Sequence, residues 1–175
     1  PYTTDGYLGL PSDVIGREYL VQCYPNLQSG VGTLNGTQFA IVGSQDATTL
    51  SITPSVEVAG HVAGASFTIT LNRGDTFQLR SDQNAPADLS GSQVISDKPV
   101  AVFGSHQCAF VESSNTFFCD YLVEQMLPIN RAGELYIRAP LATRSNGDTF
   151  HILATKDGTT VTENGATIAT LNAGE

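Results

Sequence analysis

Strand-length runs of β-branched and aromatic residues, separated by turn formers, recur along the first hundred residues of this chain. Such runs predict strands bounded by turns. Seven of them fall within about 90 residues, the spacing that is typical of a β-sandwich: residues 18–24, 37–43, 48–54, 66–71, 76–80, 92–96 and 100–105. The last two flank Asp97-Lys98-Pro99, where the fixed φ and missing donor of proline predict a turn. We therefore predict an all-β, antiparallel β-sandwich-type module.

Composition limits the partners that such a module can have. The 175 residues carry 17 acidic and 8 basic side chains, so the net charge of -9 repels phosphate backbones and argues against nucleic acid as a partner. No stretch approaches the roughly 18 uninterrupted apolar residues that a membrane span needs, which argues against membrane insertion. The length is enough for one full domain and part of another.

Blocks of sequence from the first part of the chain recur in the same order near its end. LP followed by G at residues 10–16 returns at 127–133, an offset of 117, and residues 39–51 share five identities in thirteen with residues 150–162, an offset of 111. LNRGD at residues 71–75 returns as LNAGE at 171–175, an offset of 100. Ordered matches of this kind predict an internal repeat. Residues 1–126 are thus predicted as a first β repeat module and residues 127–175 as an incomplete second copy, truncated at the C-terminus, with Phe39 and Phe150 in equivalent core positions.

The chain contains three cysteines, of which Cys108 and Cys119 lie eleven positions apart. We predict that these two form a disulfide, which stabilises a fold by about 3 kcal/mol through loop closure, and that Cys23 is free or paired between chains. The alternative is a zinc site made by His106, Cys108, Cys119 and Asp120, although their spacing matches no standard finger. No metal or other cofactor is predicted.

Catalysis is the weakest function class for these residues. A serine or cysteine nucleophile needs a base within hydrogen-bond reach and a third group to orient that base. Ser105 and His106 are neighbours on a strand, so their side chains face opposite ways, and the Cys108 thiol is better explained by Cys119. We therefore predict that this chain is not an enzyme.

Two polar loops, residues 27–35 and 82–89, are the candidate binding surface. Loops on a sandwich vary without disturbing the core, and these two carry small, amide-bearing and acidic residues that can bond to a protein or glycan. Asn35 also opens an Asn-Gly-Thr sequon and is a candidate glycosylation site. The candidate binding residues are Asn26, Gln28, Asn35, Asp82, Gln83, Asn84 and Asp88.

Several stretches resemble the N-terminal domain family of IgG Fc-binding protein. The specific ones are SDKPVAVF at residues 96–103, HQCA at 106–109 and CDYLVEQ at 119–125, supported by residues 10–21, 44–49 and 71–75. The resemblance implies a secreted or surface-displayed, multi-repeat, non-enzymatic module. It predicts an extracellular or cell-surface binding or adhesion module that contacts mucin, matrix or immunoglobulin-like partners and neighbouring repeats. The alternatives are a structural repeat of a matrix or mucus-type polymer and a metal- or thiol-dependent enzyme.

Overall fold

A computed structural model describes residues 6–27, 36–111, 118–137, 139, 142 and 148–175. These residues form β-strands and one short 3-10 turn at Ile129–Arg131, which confirms the all-β prediction. None of the helical structure in these ranges is long or apolar enough to cross a bilayer. The strands are β1 (Gly16–Leu20), β2 (Thr37–Gly43), β3 (Thr48–Thr53), β4 (Phe67–Leu71), β5 (Thr76–Ser81), β6 (Gln93–Ala109), β7 (Asp120–Gln125), β8 (Thr159–Glu163) and β9 (Ala166–Leu171).

The long strand β6 organises the main antiparallel sheet, whose order is β4-β3-β6-β2-β5. Strand β1 and strand β7 also pair with β6. Val100 marks the change of neighbours, because it pairs with Gly43 of β2 on one side and with Gly16 of β1 on the other. The first part of β6 therefore joins β1 and β3, the second part joins β2 and β7, and the sheet forms a nearly closed, barrel-like sandwich.

The predicted turn at Asp97-Lys98-Pro99 is wrong, since β6 runs through these residues as one strand. Pairing with β3 ends at Ser96, and pairing with β2 begins at Val100. Pro99 thus lies between two ladders, where no partner strand needs the N–H that proline lacks.

The same three residues hold the turn between β2 and β3. The Lys98 Nζ donates to the carbonyl oxygens of Asp46 and Ala47 at 2.6 and 3.0 Å, and the Asp97 Oδ1 accepts from the Thr49 N–H at 2.8 Å. Ala47 has a φ of 50°, the left-handed region that few non-glycine residues adopt. The Asp-Lys-Pro motif therefore fixes a strained turn through contacts from a distant strand.

The core lies between the two halves of this sheet. Tyr19 is fully buried, and its hydroxyl donates to the Val100 carbonyl at 2.7 Å while it accepts from the Gly16 N–H at 2.7 Å. Gly104 allows the segment after β1 to pass closely over β6, because a Cβ there would overlap the Gln22 carbonyl oxygen. The main buried apolar residues are Tyr19, Val21, Phe39, Ile41, Leu50, Ile52, Leu89, Val94, Val100 and Val102.

The hairpin of β8 and β9 shares hydrogen bonds with the hairpin of β3 and β4 at one end, although its ladder shifts register between Val161 and Thr162 and that of β3 and β4 does not. Thr159 faces Leu171 as Thr48 faces Leu71. Three side-chain hydrogen bonds are equivalent at the offsets of 111 and 100 found in the sequence. In the first hairpin, Thr48 Oγ1 donates to the Gln45 carbonyl, Arg73 N donates to Asp46 Oδ1, and Asn72 N donates to Asp75 Oδ2. In the second hairpin, Thr159 Oγ1 donates to the Lys156 carbonyl, Ala173 N donates to Asp157 Oδ1, and Asn172 N donates to Glu175 Oε2.

The burial predicted for Phe150 is wrong. Phe39 is fully buried, whereas Phe150 is 50% exposed. Phe39 lies in β2 between β5 and β6, whereas residues 148–154 do not form a strand. The shared contacts therefore do not include burial at this position, and the division into residues 1–126 and 127–175 stays a prediction.

Candidate functional site

Asn26 is buried between the start of β2 and the second predicted binding loop, with 1% of its surface exposed. Its Oδ1 accepts three hydrogen bonds: from the Gly36 N–H at 2.9 Å, from the Thr37 N–H at 3.0 Å, and from the Nε2 of His106 at 2.9 Å. These bonds join the start of β2, which follows the first loop, to β6.

The side-chain nitrogen Nδ2 of Asn26 extends the contacts to the second loop. It donates to the Gln83 carbonyl at 2.8 Å and to the Ser81 carbonyl at 3.4 Å, while the Asn26 backbone N–H donates to the Ala87 carbonyl at 2.8 Å. One buried amide thus links residues 36–37, 81–87 and 106. We call these contacts the Asn26 network, comprising Asn26, Gly36, Thr37, Ser81, Gln83, Ala87 and His106.

His106 is a neutral member of this network. Its Nδ1 accepts from the Cys108 backbone N–H at 3.0 Å, which leaves the proton on Nε2 to be donated to Asn26. Burial lowers the pKa of His106 to about 4, because the charged imidazolium would lose its hydration. At neutral pH the ring is therefore a structural donor and acceptor.

The structure confirms the disulfide between Cys108 and Cys119, with Cα atoms 5.0 Å apart. The zinc alternative is wrong, because the two sulfurs that would bind the ion are bonded to each other. Across the described ranges, no three His, Cys, Asp or Glu side chains are grouped so that they could hold a metal. Cys23 is a free, buried thiol that donates to the Gln38 carbonyl at 3.1 Å.

The candidates for nucleophilic chemistry all have structural contacts. The Ser105 hydroxyl donates to the Gln38 carbonyl at 3.3 Å, and both ring nitrogens of His106 are hydrogen-bonded. Burial raises the pKa of the Cys23 thiol to about 12, so the thiolate that would attack a substrate is scarce at neutral pH. This arrangement does not supply an activated nucleophile from any of these side chains.

The predicted binding residues of the second loop occupy two kinds of position. Asp82, Gln83 and Asn84 are exposed at the start of their loop, which also contains a cis Ala85–Pro86 peptide bond. Asp88 is half-buried, and its Oδ1 accepts from the N–H and the hydroxyl of Ser90 at 2.9 and 2.8 Å.

One correction to the candidate set follows from these positions. Asn26 is too deeply buried to touch a partner, because its amide is used by the network, so its role changes from contact to positioning. Gln28 and Asn35 lie outside the described residues, and the sequon stays a prediction.

Sequence reasoning missed two polar residues that support the loops. The Thr37 hydroxyl accepts from the Leu89 N–H at 3.1 Å, and the Ser81 hydroxyl donates to the Glu57 carbonyl at 3.0 Å. Both residues are fully buried. Their partners lie 52 and 24 positions away, so no local pattern marks them.

Removing the disulfide should lower stability without changing the fold. The double variant Cys108→Ser/Cys119→Ser is expected to lose about 2.8 kcal/mol of unfolding free energy, because a loop of about twelve residues is no longer closed in the unfolded chain. Urea unfolding under oxidising conditions measures the loss. Adding a reductant should bring the wild type to the level of the variant and leave the variant unchanged; equal midpoints for the two oxidised proteins would contradict the expectation.

Comparisons with known proteins give consistent matches. The family model described as IgGFc binding protein matches residues 5–175. The human IgGFc-binding protein is 33% identical over 160 residues, which are 89% of this chain and 3% of the human protein. This chain thus spans a small part of that relative's length. The crystal structure of Thermotoga maritima 1070 is similar over 63% of this chain and 90% of its own, at 13% identity and a TM-score of 0.34, which is too low to define a shared fold.

Proposed function

This chain belongs to the IgGFc binding protein family, and we propose on that premise that it is a non-catalytic binding module of the cell surface or extracellular space. Its contacts with another macromolecule are made by residues 27–35 and 82–89. The disulfide between Cys108 and Cys119 supports an extracellular location, because such bonds persist in oxidising compartments.

The observation that carries the proposal is the attachment of the second loop, and of residues 36–37 that follow the first loop, to one buried residue, Asn26. Asp82, Gln83 and Asn84 expose polar groups to solvent, while the Gln83 carbonyl and the Ala87 carbonyl are held from below by Asn26. A loop that is held in place before binding loses less conformational entropy when it meets a partner. Polar residues on a rigid frame are the usual arrangement of a binding loop.

We further propose a folded protein as the partner. The name of the human relative reports binding to the Fc part of IgG, and immunoglobulin Fc is therefore the first probe to use. The net charge of -9 would steer a basic face of the partner toward this module, so binding should weaken as salt rises. Mucin and matrix glycans are the further partners to test.

A structural role in a repetitive extracellular polymer is the second candidate. It is favoured by the matching hydrogen bonds of the β3–β4 and β8–β9 hairpins, since duplicated units of this kind stack in repeat proteins. The two roles differ in what they require of residues 82–84, because a polymer repeat does not need those exposed side chains.

The triple variant Asp82→Ala/Gln83→Ala/Asn84→Ala tests the binding role. Binding to immobilised IgG Fc, measured by surface plasmon resonance, is expected to weaken at least about tenfold, which corresponds to about 1.4 kcal/mol. The unfolding free energy should change by less than about 0.5 kcal/mol per site, as is usual for exposed residues.

A matched control separates contact from net charge. Glu124→Ala removes one exposed carboxylate from β7, as the triple variant removes one from the loop. This control should keep the wild-type affinity at fixed salt. Equal binding by wild type and triple variant to Fc, mucin and matrix surfaces would refute the loop role and favour the structural one.

A further inference from the structure

We propose that residues 127–137 and 148–175 form an acceptor for one additional β-strand, which has the sequence pattern of β6 and comes from a neighbouring module of the same polypeptide. The inference is carried by contacts that the second copy shares with the first and by apolar side chains that are buried in the first copy and exposed in the second.

Shared contacts identify the equivalent residues before the hairpin. The Gly16 N–H donates to the Tyr19 hydroxyl at 2.7 Å, and the Gly133 N–H donates to the Tyr136 hydroxyl at 3.0 Å, at the offset of 117 found in the sequence. Two residues before Gly16, the Val14 N–H donates to the Pro11 carbonyl at 3.1 Å. At the equivalent place in the second copy, the Arg131 N–H donates to the Pro128 carbonyl at 2.8 Å. Residues 128–136 therefore share two local hydrogen bonds with residues 11–19.

Shared contacts also place residues 152–154 opposite the hairpin turn. In the first copy, Gly43 exchanges backbone hydrogen bonds with Gly74 and Asp75. In the second copy, Ala154 does the same with Gly174 and Glu175. These pairs lie at the offsets of 111 and 100, so Ile152 is the equivalent of Ile41.

The equivalent side chains differ sharply in exposure. Tyr19 and Ile41 are fully buried, whereas Tyr136 is 77% exposed and Ile152 is 54% exposed. Large apolar side chains exposed at positions that a matching module buries indicate an interaction surface. The surface is defined here by Tyr136 and Ile152.

Strand β6 pairs with both of the equivalent residues in the first copy. Tyr19 pairs with Val94 of β6, and Ile41 pairs with Val102 of β6. One strand thus serves as the common partner of β1 and β2. A second strand of this type would bury Tyr136 and Ile152 together.

The state of the second copy agrees with this assignment. The β8–β9 hairpin, which is local in sequence, is formed. Residues 133–137 and 148–154, which are equivalent to β1 and β2, are not strands. In the first copy, both β1 and β2 are hydrogen-bonded to β6. A β6-type strand is therefore the element that would convert these two segments into strands.

The first copy also defines the chemistry of the incoming strand. Asp97 accepts from the Thr49 N–H, so an aspartate would meet the Thr160 N–H. Lys98 donates to the carbonyls of the β2–β3 turn, so a lysine would meet the Asp157 and Gly158 carbonyls. A proline fits next, at the junction of the two ladders. The strand therefore carries Asp-Lys-Pro followed by alternating valines.

The probe is a fluorescein-labelled synthetic peptide with the sequence of residues 91–106, mixed with the 175-residue protein. We expect saturable binding by fluorescence anisotropy, together with protection of amides 133–137 and 150–154 in hydrogen exchange. A control peptide in which the aspartate and the lysine are exchanged should bind at least about tenfold more weakly.

Matched protein variants locate the site. Tyr136→Ser and Ile152→Ser should each weaken peptide binding at least about tenfold, because each removes a side chain that the strand would bury. Leu135→Ser and Ile168→Ser remove side chains that are 83% and 56% exposed, but their equivalents in the first copy, Glu18 and Thr68, face solvent. These two controls should change the affinity less than about twofold.

Three outcomes would overturn the proposal. One is the absence of binding up to the solubility limit of the peptide. Another is equal weakening by the test variants and their controls. The third is a protein dimer, seen by sedimentation, that Tyr136→Ser dissociates and the peptide does not, since a second copy would then be the occupant.

Discussion

Replacing Asn26 with alanine is expected to lower the free energy of unfolding by about 4 kcal/mol, because buried donors left without an acceptor cost roughly 1–3 kcal/mol each. Three donors lose the Oδ1 acceptor: the Gly36 N–H, the Thr37 N–H and the Nε2 of His106. The Gln83 carbonyl also loses its donor. Urea unfolding followed by circular dichroism measures the loss.

Gln83→Ala is the matched control, because it removes an amide side chain from the same region at an exposed position. Its stability should stay within about 0.5 kcal/mol of the wild type. If Asn26→Ala were as stable as Gln83→Ala, the network would be redundant, and the loops would be held by other contacts. A loss of several kcal/mol in Asn26→Ala alone assigns the support to that amide.

The strands were predictable where they depend on local pattern. Residues 37–43 show the alternation and the β-branched side chains that are typical of a strand, and β2 occupies that range. The turn predicted at Pro99 failed because a proline breaks a strand only where a neighbour needs its N–H. That condition depends on where two other strands end, and the sequence around Pro99 does not contain that information.

The two hairpins of the repeat show the same division between local and long-range contacts. Asp46 and Asp157 accept from Arg73 N and Ala173 N at the same distance, 3.0 Å, because both bonds lie within one repeated hairpin. Phe150 differs from Phe39 because burial of that position needs β6, a strand more than fifty residues further along the first copy. Local contacts follow the repeated sequence, and burial follows the long-range partner.

The candidate site was predictable in its exposed part. Polar loop residues such as Asp82 and Asn84 are exposed, as their composition predicts. Asn26 reads as another such residue, since it follows a proline in a polar stretch. Its burial is decided by partners 10, 57 and 80 positions away, and a single sequence does not mark such distant pairs.

Acidification is expected to destabilise this protein through His106. Burial holds the pKa of this histidine at about 4 in the folded state, whereas an unfolded histidine titrates near 6.5. The unfolded chain therefore takes up the proton first as the pH falls. The stability that neutral His106 contributes is complete above pH 6.5 and is lost as the pH falls from 6.5 to 4, by about 3 kcal/mol in total.

Urea unfolding at pH 7, 6, 5 and 4 measures this loss, and a variant separates it from the titration of carboxylates. His106→Gln keeps an amide donor for Asn26 Oδ1 but does not titrate, so it should start from a lower stability at pH 7 and lose less between pH 6.5 and 4. His61→Gln removes a histidine outside the Asn26 network and should keep the full wild-type loss. Parallel curves for wild type and His106→Gln would show that the acid sensitivity comes from other groups, since only a residue whose protonation is linked to unfolding changes the slope of stability against pH.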